Sequence, residues 1–230
     1  MSISPVQQHP ASVDAYIRHG WKLVPIPPGT KGPRKQGWNQ QQAALTSQLE
    51  LPSGYGIGLA HAYSGTMALD IDHWEAAKVA LQKMGLDLDA LYDAPDAVII
   101  DSGRQGRGKL LYKMPEGLIL GSKKIIENQV TIYELRCATS ARLTVQDVLP
   151  PTIHPDTNQP YRWAGRGHWT RLPMIPEALL TGWEALLAND RHHVIPVHSA
   201  MDASWDEIKQ ALEYIDASCD YQEWITVGMA

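Results

Sequence analysis

Asp70 and Asp72 close the apolar run Met67-Ala68-Leu69 with a single residue, Ile71, between them. In an extended strand successive side chains alternate faces, so the two aspartates project together while Ile71 turns to the other side. Carboxylates that close repel unless a cation stands between them, and a hard divalent ion suits that place. A plainer reading of the same residues makes Asp72 the N-cap of a following helix and Asp70 a solvated strand end. A third acid, Glu134, sits within Val130–Arg136, where alternation puts it on the face of Val130, Ile132 and Arg136. Burying a lone carboxylate there is costly, and a pair with Arg136 or a solvated face is the alternative to a ligand role. Between these acids runs Asp101-Ser102-Gly103-Arg104-Gln105-Gly106-Arg107-Gly108-Lys109. Its glycines let the backbone approach an anion, and Arg104, Arg107, Lys109 and the nearby Lys113 supply positive charge without an intervening acid. That chemistry suits a triphosphate; a solvated basic turn is the competing reading.

These residues need strands and turns to position them. Ser12 is placed to cap a helix over Val13 to His19 that Gly20 stops. Trp21 to Ile26 reads as a strand broken by Pro27-Pro28-Gly29, and a basic loop with Lys31, Arg34 and Lys35 follows. Gly56 to Ala60, Thr66 to Ile71, Ala97 to Asp101, Lys109 to Lys113 and Val130 to Arg136 read as strands. Leu143 to Val148 and Tyr161 to Trp163 extend the set. Helix is expected from about His73 to Met84, with Asp72 and Glu75 spaced as a capping box, and again near Pro176 to Leu187. Strands alternating irregularly with helices point to an α+β domain rather than a doubly wound parallel sheet.

Composition narrows the class. A hydrophobic fraction of 44% and a charged fraction of 20% are those of an ordinary globular chain. No run approaches the roughly 18–20 apolar residues of a membrane span, and the polar N-terminus lacks a signal-peptide layout. Cys137 and Cys219 stand far apart, which argues against a cysteine zinc site and for a reducing cytoplasm. The net charge of −5 hides an asymmetry: residues 1–171 hold 18 Lys+Arg against 15 Asp+Glu, and residues 172–230 hold 2 against 10. A mildly basic body is compatible with a polyanionic substrate. His192, His193 and His198 lie in a polar stretch without a carboxylate cage, and Trp163 and Trp169, near Arg162, Arg166 and Arg171, suit a core better than a base-stacking strip.

Taken in order, several segments carry a resemblance. They begin with Gly20-Trp21-Lys22-Leu23-Val24-Pro25-Ile26-Pro27-Pro28-Gly29-Thr30-Lys31-Gly32-Pro33 and Gly37-Trp38. Gly56–Ala60 then leads into Leu69-Asp70-Ile71-Asp72, followed by Ser102–Tyr112 and Glu134. Val148-Leu149-Pro150-Pro151-Thr152-Ile153-His154-Pro155 runs on to Tyr161-Arg162-Trp163. Together they resemble the N-terminal domain of the bifunctional DNA primase/polymerase family of the archaeo-eukaryotic primase superfamily. The resemblance spans roughly residues 12–170. From Ser204 on, Tyr214-Ile215-Asp216, Cys219-Asp220-Tyr221 and Trp224–Ala230 are similar to the opening of a helical primase C-terminal domain.

The resemblance implies an archaeo-eukaryotic primase-like core, an RRM-like antiparallel sheet with an α/β N-terminal unit and a short helical C-terminal segment. It implies a catalytic domain over residues 1–172, a helix and linker over 173–203, and the start of the helical domain over 204–230. It also implies two-metal nucleotidyl transfer, with Asp70, Asp72 and Glu134 as catalytic residues and ligands of Mg²⁺ or Mn²⁺. Ser102, Arg104, Arg107 and Lys109 would grip the triphosphate, and Lys31 and Lys35 would contact DNA phosphates. Lys109 stands where that family usually carries a His. The implied partners are a single-stranded DNA template, nucleoside triphosphates and a replicative helicase, in the cytoplasm, in a phage, prophage or plasmid setting. A catalytically weakened module that binds nucleotide or single-stranded DNA and recruits a helicase is the alternative; a metal-dependent nuclease is a weaker third.

Overall fold

The alternation Met67, Leu69, Ile71 against Ala68, Asp70, Asp72 sets the layering of the whole body. The computed structural model describes residues 11–192. The helices expected from Ser204 onward, and His193 and His198, lie outside them. The chain divides into two units, Met1–Leu187 and Ala188–Ala230, and the sheets, cores and site all lie within the first. In chain order the elements are α1 (Val13–Arg18), β1 (Leu23–Ile26), β2 (Gly56–Ala60), α2 (His61–Ser64), β3 (Thr66–Ile71), α3 (Trp74–Gln82), α4 (Leu88–Asp93), β4 (Ile99–Asp101), β5 (Gly108–Lys113), β6 (Lys123–Glu127), β7 (Val130–Arg136), β8 (Gln146–Val148), β9 (Arg162–Ala164) and α5 (Glu177–His192). Among the described residues no helix is long and apolar enough to cross a membrane.

The strands form a three-stranded sheet, β1-β2-β8, and a six-stranded sheet, β6-β7-β3-β5-β4-β9. Every pairing between these strands is antiparallel, which fits the α+β expectation. Pro25 is accommodated because β1 is an edge strand, where a missing N–H interrupts no central ladder.

β3 has one face toward each of two cores. Met67, Leu69 and Ile71 join Leu110, Tyr112 and Leu135 in packing against α3, α4 and α5, through Leu81, Leu88, Leu179 and Trp183. Ala68 belongs instead to the core shared with the three-stranded sheet, which contains Leu23, Ile57, Leu59, Ile100 and Leu111. The layers are therefore helices, large sheet, small sheet. Asp70 and Asp72 share the face of Ala68, and so point toward the small sheet. Tyr16, Trp21, Trp163 and Trp169 cluster in that second core, with Trp163 Nε1 donating to Tyr16 Oη at 2.8 Å and Tyr16 Oη donating to Pro150 O at 3.1 Å. Both tryptophans are thus core residues rather than a stacking strip.

Ser12 caps α1 as expected, its hydroxyl accepting from Ala15 N at 3.2 Å. The capping box at Asp72 and Glu75 does not form. The N-cap of α3 is His73, without a side-chain bond, because Asp72 accepts from Arg107 instead. Three elements were not legible in the sequence: α2, α4 and β6. α4 is a short helix capped by Asp87, whose side chain accepts from Asp89 N and Ala90 N. β6 joins β7 through Asn128 and Gln129, both at positive φ (49° and 64°), the conformation of a type I′ hairpin turn.

Candidate active site

Register across the large sheet builds the site. Asp70 pairs with Lys109 on one side and Glu134 on the other, and Glu134 pairs with Lys124. Cross-strand partners share a face, so one transverse row reads Lys109, Asp70, Glu134, Lys124, two acids between two cations. Asp72 follows the end of β3, its main-chain N–H donating to Ile132 O at 3.0 Å.

Each acid of this group meets a cation. Lys109 Nζ donates to Asp70 Oδ2, and to Asp147 Oδ1 at 2.7 Å. Arg107 Nη1 donates to Asp72 Oδ1 at 2.6 Å. Arg136 donates from Nη1 to Glu134 Oε2 at 2.6 Å and from Nε to Asp147 Oδ2 at 3.0 Å. Lys124 Nζ lies 3.3 Å from Glu134 Oε1. The in-strand Glu134–Arg136 pair is therefore formed, within a larger network.

Asp147, on β8, carries that network across to the small sheet. Its side chain is 3% exposed and takes up Lys109, Arg136 and His61 together. His61 is fully buried between Asp147 Oδ2 and Thr66 Oγ1, each 2.9 Å from a ring nitrogen. Burial alone would push the Asp147 carboxyl up. The charges of Arg136 and Lys109 and the bond from His61 more than reverse this, holding it well below the usual carboxylate range. Asp70 moves the other way: burial pushes it up, Lys109 opposes and the Asp147 charge reinforces. Burial disfavours the charge on Lys109, but Asp147 and Asp70 outweigh it and its pKa is raised. Burial lowers the pKa of His61.

A cavity of about 200 Å³ opens above this row. It brings together Asp70, Asp72 and Glu134 with Ser102, Arg104, Arg107 and Lys109 of the β4–β5 loop and the start of β5, and with Lys31. Lys35 is exposed and does not line it. Lys31 forms an exposed pair with Asp156 at 2.5 Å. Lys109 lines the cavity, yet its ammonium is bound to two carboxylates, whereas Arg104 has no ion-pair partner among the described residues.

Sequence reasoning missed Asp147, His61 and Tyr161, and read His154 as a structural residue of its proline-rich turn. Tyr161 and His154 line the same cavity. Asp147 and His61 lie in short segments without usable periodicity, and only the contact between the two sheets gives them partners. His154 and Tyr161 belong to the segment that carries the family resemblance, and that was the available signal for them.

Among the described residues no three His, Cys, Asp or Glu side chains stand as a ready set of metal ligands, since the acids are turned onto cations. The donor chemistry nevertheless fits a hard cation. Three carboxylates face one cavity, and two of the cations on them, Arg107 (33% exposed) and Lys124 (62% exposed), end long side chains that reach solvent. Lys109 differs, because Asp147 fixes it from below.

The family model for Prim-Pol, described as bifunctional DNA primase/polymerase, N-terminal, matches residues 13–178. No curated protein matches the chain.

Proposed function

Because the chain belongs to the bifunctional DNA primase/polymerase N-terminal family, we propose that it performs template-dependent nucleotidyl transfer from nucleoside triphosphates in the replication of a phage, prophage or plasmid. The observation that carries this reading is the convergence of Asp70, Asp72 and Glu134 with Ser102, Arg104 and Arg107 on one cavity. In the reaction a 3′-hydroxyl oxygen bonds to the α-phosphorus, the bond from that phosphorus to the bridging oxygen breaks, and pyrophosphate departs. The hydroxyl proton goes to solvent or a nearby base.

Asp70, Asp72 and Glu134 are the residues that would hold two divalent cations, Mg²⁺ or Mn²⁺. Such ions lower the pKa of the attacking hydroxyl and neutralise the departing pyrophosphate. Arg104 and Arg107 supply guanidinium forks for phosphate oxygens, and Ser102 a hydroxyl. When Arg107 turns to a phosphate it releases Asp72. Lys109 does not swing in this way; it stays with Asp147 and holds one oxygen of Asp70 in place. Lys31, which lines the cavity, and the exposed Lys35, which does not, give the template strand cationic contacts. The primase-like core and a helicase partner belong to the same reading.

A second reading draws support from Lys109. A cation bonded to Asp70 weakens that carboxylate as a ligand, which favours a module that binds nucleotide or single-stranded DNA without turnover. Primer extension and unprimed synthesis on single-stranded DNA, with Mg²⁺ or Mn²⁺, separate the two. The enzyme reading expects metal-dependent product that vanishes in the Asp70→Ala/Asp72→Ala protein. Nucleotide binding with no product under either metal selects the module.

A further inference from the structure

His154 lies on the turn after β8 and lines the cavity, although only 1% of its surface is exposed. Its ring is fixed. Nδ1 accepts the main-chain N–H of Asp156 at 3.1 Å and that of Thr157 at 3.3 Å. The backbone on either side is held too, His154 N donating to Gln159 O at 2.8 Å and Asn158 N to His154 O at 2.9 Å. A ring nitrogen that accepts carries no proton, so the neutral imidazole has its hydrogen on Nε2. Burial lowers the pKa of His154, the charges of Lys31 and Arg104 lower it further, and Asp156 opposes them. No protein acceptor among the described residues meets Nε2.

This ring, held at Nδ1 and with Nε2 free of a protein acceptor, lines the cavity together with Arg104 and with Lys31, whose ammonium pairs with the exposed Asp156, while the ammonium of Lys109 is committed to Asp70 and Asp147. We propose that His154 donates its Nε2–H to a phosphate oxygen of the bound nucleoside triphosphate. This rests on the nucleotide reading of the cavity given above. An imidazole locked by two main-chain bonds adds direction to the charge that Lys31 and Arg104 supply, because its donor cannot rotate away. His154 is on this view a positioning residue for the triphosphate and takes no part in the exchange of bonds.

Two substitutions separate this role from a merely structural one. In His154→Asn the side-chain oxygen replaces Nδ1 as acceptor for Asp156 and Thr157, and nothing reaches the place of Nε2. In His154→Gln the amide nitrogen takes that place and the turn loses its acceptor. Titrations of the full chain with dATP, with inorganic tripolyphosphate and with adenosine, beside thermal unfolding, read both effects. His154→Asn should weaken dATP and tripolyphosphate by about tenfold, the worth of one hydrogen bond to a charged group, and leave Tm unchanged. His154→Gln should lower Tm and keep affinity within about threefold of the parent. Unchanged dATP affinity in His154→Asn overturns the proposal, as does a loss of affinity that merely follows Tm in both variants. Arg104→Ala distinguishes the two levels. If it weakens dATP while His154→Asn does not, only the His154 assignment fails. If the parent protein shows no phosphate-dependent binding, the nucleotide reading fails and His154 with it.

Discussion

Lys109 illustrates how one side chain can be read correctly for charge and differently for role. Its sequence neighbours, Arg107 and three glycines, suggest an ammonium free to meet phosphate. The sheet register instead sets it opposite Asp70, and β8 brings Asp147 onto it from the other side. Removing it leaves Asp70 and Asp147 without their shared cation, and Arg136 bonds only the second of them. Lys109→Met should therefore destabilise the fold by about 3 kcal/mol, the scale for breaking one side of a buried pair. Urea unfolding measures this, and a loss below about 0.5 kcal/mol would show that the pair is solvated like a surface salt bridge. The acids themselves were legible because period-two alternation is local: Asp70 and Asp72 had to share a face once Met67, Leu69 and Ile71 were buried. Asp147 was not, because nothing local distinguishes a buried hub from a solvated strand aspartate.

At the level of elements, hydrophobic pattern and turn residues located most strands, and β2, β3 and β7 begin and end where alternation does. β6 escaped because its turn lacks the Asn-Gly pair that advertises a type I′ hairpin. Gln129 holds a φ of 64°, in the left-handed region that costs a non-glycine residue roughly 1 kcal/mol. Gln129→Gly should accordingly raise the unfolding free energy by about 1 kcal/mol, with the gain confined to the β6–β7 hairpin in amide exchange. A destabilised variant would mean that the entropy of the added glycine outweighs the strain it relieves. α4 was missed for a different reason: at six residues it is too short to show a period, and its packing through Leu88 is what holds it.

The whole molecule couples this site to pH and salt. His61 is buried and neutral, and His19 and His154 are likewise lowered by burial. In the unfolded chain these rings take up protons near pH 6.5, where the folded protein does not. Their contribution is thus present above about pH 6.5 and lost as pH falls toward the lowered folded values, with a slope for His61 of up to about 1.4 kcal/mol per pH unit. Urea unfolding at pH 7.5 and 5.5 should show the loss, and His61→Gln should shrink the difference between them. Asp147 acts lower down. Held below the usual range, it gives stability that disappears only as pH drops below about 4. Salt acts on the proposed nucleic-acid function. Single-stranded DNA affinity should fall linearly in a log–log plot against salt, and removing Lys31 or Lys35 should flatten the slope by about 0.7 for each phosphate that is no longer neutralised. A slope unmoved by both would take those lysines off the DNA path. The tie through Asp147 also has a consequence for synthesis on the ribosome. Lys109 and Arg136 are made before residue 147, and β9, the edge strand beside β4, comes later still. Until β8 has emerged, the nascent large sheet holds two cations without their shared carboxylate, so the charge balance of the centre is among the last features of the body to be completed.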